Sequence, residues 1–65
     1  MVREIIEVIA NNFREKVRRD YQSEVITEGE FQEMMIFIDE IVSEGDDLSA
    51  IKMLHVAKMT YTIMK

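Results

Sequence analysis

The chain lacks the residues that stabilise many small proteins. Its 65 residues include no cysteine, no proline and no tryptophan, with two glycines and one histidine. Disulfides, thiolate zinc sites and cysteine nucleophiles are therefore excluded, and a single histidine is too little for a histidine metal cage. A chain of this length buries only about 60% of the surface that its unfolded form exposes. We therefore expect its stability to depend on close helix packing or on self-association.

Long hydrophobic runs are also missing from the sequence. No segment approaches the roughly 18 apolar residues of a transmembrane helix. Glu4 and Glu7 interrupt the N-terminal segment where a signal peptide would be apolar. Apolar residues still make up 48% of the chain and charged residues 32%, which is typical of a folded domain. We predict a single cytoplasmic interaction domain over residues 1–65, without membrane association.

Apolar periodicity predicts an all-α fold of three helices. In the first, from about Val2 to Tyr21, apolar residues recur with the 3.6-residue period of a helix face. The β-branched residues at its start would also suit a strand, but their spacing does not alternate strictly. The second helix carries a similar stripe, formed by Phe31, Met34, Met35, Ile38, Ile41 and Val42. The expected fold is a helical hairpin plus a third helix.

Capping residues mark where the second and third helices begin and end. The segment from Thr27 to Glu30 has the S/T-x-x-E pattern of a capping box and begins the second helix. Gly45 is expected to end that helix as a left-handed residue. Asp46 or Asp47 should then cap the third helix, where an acid also complements the helix dipole.

The third helix is apolar around most of its circumference. It runs from Leu48 to about Tyr61 or beyond, and a helix of this kind is buried on more than one side. Two other short helices cannot easily cover it, so we predict that dimerisation completes the fold. One broad face supplies the predicted dimer contacts Ala50, Leu54, Ala57, Tyr61 and Met64. A second apolar sector holds Leu48, Val56, Met59 and Ile63.

Charge is segregated along the chain. The net charge is +2 over residues 1–19, −10 over residues 20–51, which contain no base, and +3 over residues 52–65, for a total of −5. Complementary faces of neighbouring helices would explain this pattern. Alternatively, the second helix presents an acidic surface with an apolar centre to a basic partner. The predicted partner-binding residues are Glu30, Glu33, Ile36, Phe37, Glu40 and Glu44.

A cluster of bases in the first helix raises nucleic-acid binding as an alternative. The candidate patch is formed by Arg14, Lys16, Arg18 and Arg19. Phosphate contacts from such a patch would be strongly salt-dependent. However, Glu15 and Asp20 lie one helical turn from two of these bases and can pair with them. Acids at the start of the third helix would also repel a phosphate backbone there. Nucleic acid is therefore the less favoured partner.

Motifs for catalysis or cofactor binding are absent from the sequence. It contains no nucleophile elbow, no phosphate-binding loop, no EF-hand loop and no Glu-x-x-His pair. His55 falls on the polar strip of the third helix, as a surface or dimer-contact residue. We predict a non-enzymatic protein without cofactor or metal, acting as a regulator, inhibitor or adaptor of a larger partner with a basic surface. The alternatives are a dimeric nucleic-acid-binding regulator and a structural oligomerisation module.

Overall fold

A computed structural model describes residues 2–64 of the chain as three helices. Helix α1 spans Val2–Gln22, α2 spans Glu28–Val42 and α3 spans Asp47–Met64. The described residues contain no strand, so the predicted all-α, three-helix fold is confirmed and the β-branched start of α1 is helical. Contacts between helix ends show that α2 runs antiparallel to α1 and that α3 runs parallel to α1.

The N-terminal caps of α2 and α3 follow the sequence prediction. At α2, the Thr27 hydroxyl accepts from the Glu30 amide at 3.2 Å, and the Thr27 amide donates to the Glu30 carboxylate at 2.9 Å. At α3, Asp46 provides the cap, since its carboxylate accepts from the Leu48 amide at 3.3 Å and from the Ser49 hydroxyl at 2.7 Å. Both caps satisfy donors that a helix leaves unpaired at its start.

The prediction of a left-handed Gly45 is wrong. Neither glycine has a positive φ, and α2 ends at Ser43, whose amide donates to the carbonyl of Asp39. Arg3 of α1 satisfies the next carbonyls, donating to Val42 O at 2.6 Å and to Glu44 O at 3.1 Å. Because a distant guanidinium binds these acceptors, the helix end needs no left-handed residue to satisfy them.

A left-handed residue occurs instead at the end of α1. Glu24 has a φ of 64°. Its amide donates to Tyr21 O at 3.1 Å, while the Val25 amide donates to Asp20 O at 2.8 Å. This pair of bonds is the Schellman motif, in which the residue at this position adopts the left-handed conformation. A glutamate therefore occupies a position at which glycine is favoured.

All three helices contribute to one hydrophobic core. Phe13 is its largest fully buried side chain, and Tyr61 of α3 packs edge-on against it with ring centroids 5.8 Å apart. Tyr21 of α1 also stacks on Phe31 of α2 at 4.6 Å. The buried cluster comprises Ile6, Ala10, Phe13, Val17, Ile26, Ile38, Ile41, Ala50, Leu54 and Tyr61.

The core of a single chain buries part of the predicted dimer contact. Ala50 and Leu54 are 0% exposed and Tyr61 is 5% exposed within a single chain. These three side chains pack against α1 and α2, so in this conformation Ala50 and Leu54 offer no surface to a second copy and Tyr61 offers only a small one. Of the predicted dimer-contact residues, Met64 is exposed and Ala57 is half-buried. The fold of a single chain therefore buries the inner face of α3.

Complementary charges join neighbouring helices, as expected if the charge pattern reflects complementary helix faces. Arg14 of α1 pairs with Asp39 of α2 at 2.6 Å, and Arg3 of α1 pairs with Asp47 of α3 at 3.0 Å. The four side chains are partly to largely exposed, so each pair adds little stability. These pairs help to specify which helix ends meet.

Candidate interaction surfaces

An apolar groove lies between α2 and α3. It is open to solvent and has a volume of about 520 Å³. Its α2 wall is formed by Glu30, Glu33, Met34 and Phe37, and its α3 wall by Lys52, Met53, Val56, Ala57, Thr60, Tyr61 and Met64. We call this feature the α2–α3 groove.

Side-chain size explains why this groove stays open. Ala57, half-buried and packed against the core, is too small to fill the space between the two helices. Phe37 and Met53 on opposite walls remain 41% and 40% exposed, and Val56 is 53% exposed. Large apolar side chains therefore face water across a small alanine. An exposed apolar surface of this kind is typical of a binding site.

The two walls of the groove carry opposite charges. Glu33 on α2 and Lys52 on α3 are both exposed, and neither makes an ion pair within residues 2–64. Glu30 lies nearby but its carboxylate is engaged in the capping box. From Glu28 to Val42 the chain holds acids and no base, and from Leu48 to Met64 it holds lysines and no acid.

Tyr61 forms part of the groove floor and stays protonated. Its hydroxyl donates to the Asp20 carboxylate of α1 at 2.6 Å. Burial raises the pKa of Tyr61 well above its usual value, and the hydrogen bond to Asp20 and the charges of Asp20 and Glu30 raise it further. The group is therefore a fixed donor rather than a titrating or nucleophilic side chain at neutral pH.

The structure divides the predicted partner-binding residues between two surfaces. Glu30, Glu33 and Phe37 line the α2–α3 groove. Ile36, 58% exposed, points away from it with the exposed Glu40 on the same outer side of α2. Glu44 lies beyond the end of α2 and is exposed. We call the outer surface of α2 around Ile36 and Glu40 the outer acidic face.

Sequence periodicity alone does not identify the groove. It predicts Met34 in the core stripe of α2, where this side chain does pack against the core, and Val56 in the second apolar sector of α3. The groove unites them because α2 and α3 are antiparallel neighbours, so one edge of each helix faces the same space. The remainder of the second sector lies outside the groove, with Leu48 77% and Ile63 81% exposed. A joint helical-wheel comparison of the antiparallel pair is the signal that could have identified the groove.

Most of the candidate nucleic-acid patch is paired with acids. Arg14 bonds both Asn11 and Asp39, Lys16 lies 4.0 Å from Asp20, and Arg18 lies 3.1 Å from Glu15. Arg19 borders a shallow polar depression that also includes acidic side chains. The four bases consequently do not form a continuous surface of unpaired positive charge.

Two further features of the described residues bear on candidate sites. Residues 2–64 contain no group of three or more histidines and carboxylates placed to hold a metal ion. None of the three helices, as far as the structure describes them, combines the length and apolar character of a membrane span.

Comparisons with known proteins suggest no function for this chain, so its function is inferred from the geometry. No protein family, no curated protein and no solved structure matches this chain.

Proposed function

We propose that this chain is a protein-binding module that regulates, inhibits or adapts a larger partner with a basic surface. It acts by contact rather than by catalysis, and its partner-binding surface is the outer acidic face. The observation that carries the proposal is the exposure of Ile36 beside Glu40, on a helix that contains acids and no base. An apolar centre supplies affinity, while surrounding carboxylates steer a basic partner and raise the association rate.

We further propose that the module works as a homodimer. The support is the amount of apolar surface that one chain leaves in water. Half of the twelve large exposed apolar side chains within residues 2–64 belong to α3, namely Leu48, Met53, Val56, Met59, Ile63 and Met64. A second copy would cover part of this surface and enlarge a core that is small for an isolated domain. The cytoplasmic location remains a prediction.

Affinity purification from the source cells, followed by binding measurements with the recovered protein, tests the partner proposal. Ile36→Ala should weaken binding about 5–30-fold, corresponding to loss of about 1–2 kcal/mol at an apolar hot spot. Glu40→Lys should slow association and reduce its salt dependence, because it removes attraction at the outer acidic face.

Glu7→Lys is the matched control for the charge reversal. Glu7 is an exposed acid of α1, so the substitution makes the same change in net charge away from the outer acidic face. Helicity measured by circular dichroism should be unchanged in all three variants. Unaltered partner affinity in Ile36→Ala and Glu40→Lys, or an equal loss in Glu7→Lys, would rule out this surface.

A further inference from the structure

We propose that the α2–α3 groove is occupied by a second copy of this chain, in a two-fold symmetric dimer that places α2 of each chain against α3 of the other. This inference rests on the proposed dimer and identifies its contact surface. It leaves the outer acidic face free, because Ile36 and Glu40 do not line the groove. One chain could therefore dimerise and bind its partner at the same time.

Charge complementarity is the first argument for a second copy as the occupant. When a second copy is related to the first by a two-fold axis that runs along the groove, the acidic wall of each copy faces the basic wall of the other. Such a rotation brings Lys52 of each copy to the acidic wall near Glu33 of the other, so both unpaired charges find partners. A basic helix from another protein would be attracted by Glu33 but repelled by Lys52.

The direction of the axis follows from the same charges. A two-fold axis perpendicular to the helices would place α2 against α2 and bring the acids of both copies together. Like charges placed opposite one another are unfavourable, and interfaces use such repulsion to exclude wrong arrangements. An axis along the groove avoids this contact. It also makes α2 antiparallel to the neighbouring α3, as in antiparallel four-helix bundles.

The apolar residues of the groove supply the affinity in this arrangement. Phe37 and Met53 would lie near the centre of the contact, together with Val56 and Met64, and all four are exposed in the single chain. A symmetric dimer buries each of these side chains in both copies. The small Ala57 leaves room in the floor of the groove for a side chain of the other copy. Charged residues would then surround an apolar centre, as in other protein interfaces.

A charge-exchange experiment tests the arrangement on the full chain. The mass of wild type, Glu33→Lys, Lys52→Glu and the double variant is measured by sedimentation equilibrium from about 1 to 200 µM, since dimer formation depends on concentration. Wild type should approach twice the 7.7 kDa of one chain. Each single variant should have a dimer dissociation constant about tenfold higher, because two ion pairs become repulsive in each dimer.

Mixing the two single variants gives the most specific result. In a mixed dimer of Glu33→Lys with Lys52→Glu, the two substituted side chains face each other at one contact and carry opposite charges. At the other contact, the unchanged Glu33 of one chain faces the unchanged Lys52 of the other. The mixture should therefore dimerise about as well as wild type. The double variant should also recover, because its two charges are exchanged. Circular dichroism checks that the helices remain folded, and Glu7→Lys serves as the control for net charge.

Each outcome separates this inference from the broader proposal. A wild-type chain that stays at 7.7 kDa throughout would contradict both the dimer and its assignment to the groove. A dimer that is insensitive to the single charge reversals would contradict only the groove. Single variants that are weakened, but whose mixture does not recover, would contradict the pairing of α2 with α3 between copies. Recovery in both the mixture and the double variant would support it.

Discussion

The Tyr61 hydroxyl donates a 2.6 Å hydrogen bond to the Asp20 carboxylate and thereby ties the end of α3 to the end of α1. The same ring packs edge-on against Phe13 in the core. One side chain thus combines apolar burial with a polar contact between two helices far apart in sequence. Since α3 lies at the end of the described chain, this contact opposes fraying of its last turns.

Removing the Tyr61 hydroxyl should destabilise the fold without removing the ring. We expect Tyr61→Phe to lower the free energy of unfolding by about 1–2 kcal/mol, because a hydrogen bond to a charged group is lost while packing on Phe13 is retained. Urea denaturation provides the measurement. Tyr21→Phe is the matched control, since the Tyr21 hydroxyl makes no hydrogen bond within residues 2–64. Equal effects of the two changes would contradict the assigned role.

Alkaline pH should destabilise the protein through the same residue. The pKa of Tyr61 is raised in the folded chain, whereas the unfolded chain should have a value near the usual 10.0. Below pH 10 both states keep the proton, so the stabilisation is fully present. Above pH 10 the unfolded state loses the proton first, and the free energy of unfolding falls as pH rises. Tyr61→Phe should show a smaller fall above about pH 10, with the other titrating groups common to both proteins. Parallel pH curves for the two proteins would be inconsistent with this assignment.

Substitutions at two loop positions, Glu24 and Gly45, should both stabilise the fold. Glu24→Gly should raise the free energy of unfolding by about 0.5–1 kcal/mol. Glycine removes the strain of the left-handed conformation, and this gain exceeds the cost of the greater entropy that glycine gives the unfolded chain. Gly45→Ala should also be stabilising, by about 0.4–1 kcal/mol, since Gly45 has no positive φ and an added Cβ meets no atom within 4 Å. Thermal or urea denaturation distinguishes these results. Destabilisation by Gly45→Ala would mean that this position does require glycine.

Phe37 and Ile36 should have separable effects although they are adjacent. Phe37→Ala should weaken dimerisation by about 1–3 kcal/mol, the usual range for an interface hot spot, with little loss of helicity. Ile36→Ala should leave dimerisation unchanged and weaken partner binding alone. Sedimentation equilibrium and partner titration measure the two effects. If Phe37→Ala unfolds the isolated chain, Phe37 acts as a core residue instead.

Nucleic acid should bind weakly or not at all. Because Arg14, Lys16 and Arg18 already contact acids, few free bases remain to displace phosphate counterions. Fluorescence titration with labelled duplex DNA and with single-stranded RNA at about 150 mM salt should show no saturable binding. Tight, salt-sensitive binding that Arg14→Ala with Arg18→Ala removes would instead favour the nucleic-acid alternative.

Local signals in the sequence were sufficient for the helices and for two of their caps. The capping box from Thr27 to Glu30 involves atoms only three residues apart, so its formation depends little on the rest of the chain. The same holds for Asp46 at the start of α3. Apolar periodicity likewise identified Ile38 and Ile41 as inward-facing, because helix geometry places such residues on one side.

Contacts between distant segments decided what local signals could not. The sequence predicts a left-handed Gly45, but Arg3, about 40 residues earlier, binds the nearby carbonyls and removes the need for that conformation. Periodicity also could not show which apolar sector of α3 the fold would bury, because both sectors satisfy the helical period. Packing against α1 buried Ala50 and Leu54 and left Val56 exposed.

The amino-acid sequence by itself determined three helices, their order and the acidic character of α2, since these depend on residue type and on spacing within a few turns. The tertiary structure alone decided that α2 and α3 enclose a groove, that Phe37 lines it and that Ile36 does not. The physical reason is that a groove is a property of two packed surfaces. Its shape depends on the rotation of each helix about its axis, which the whole core determines.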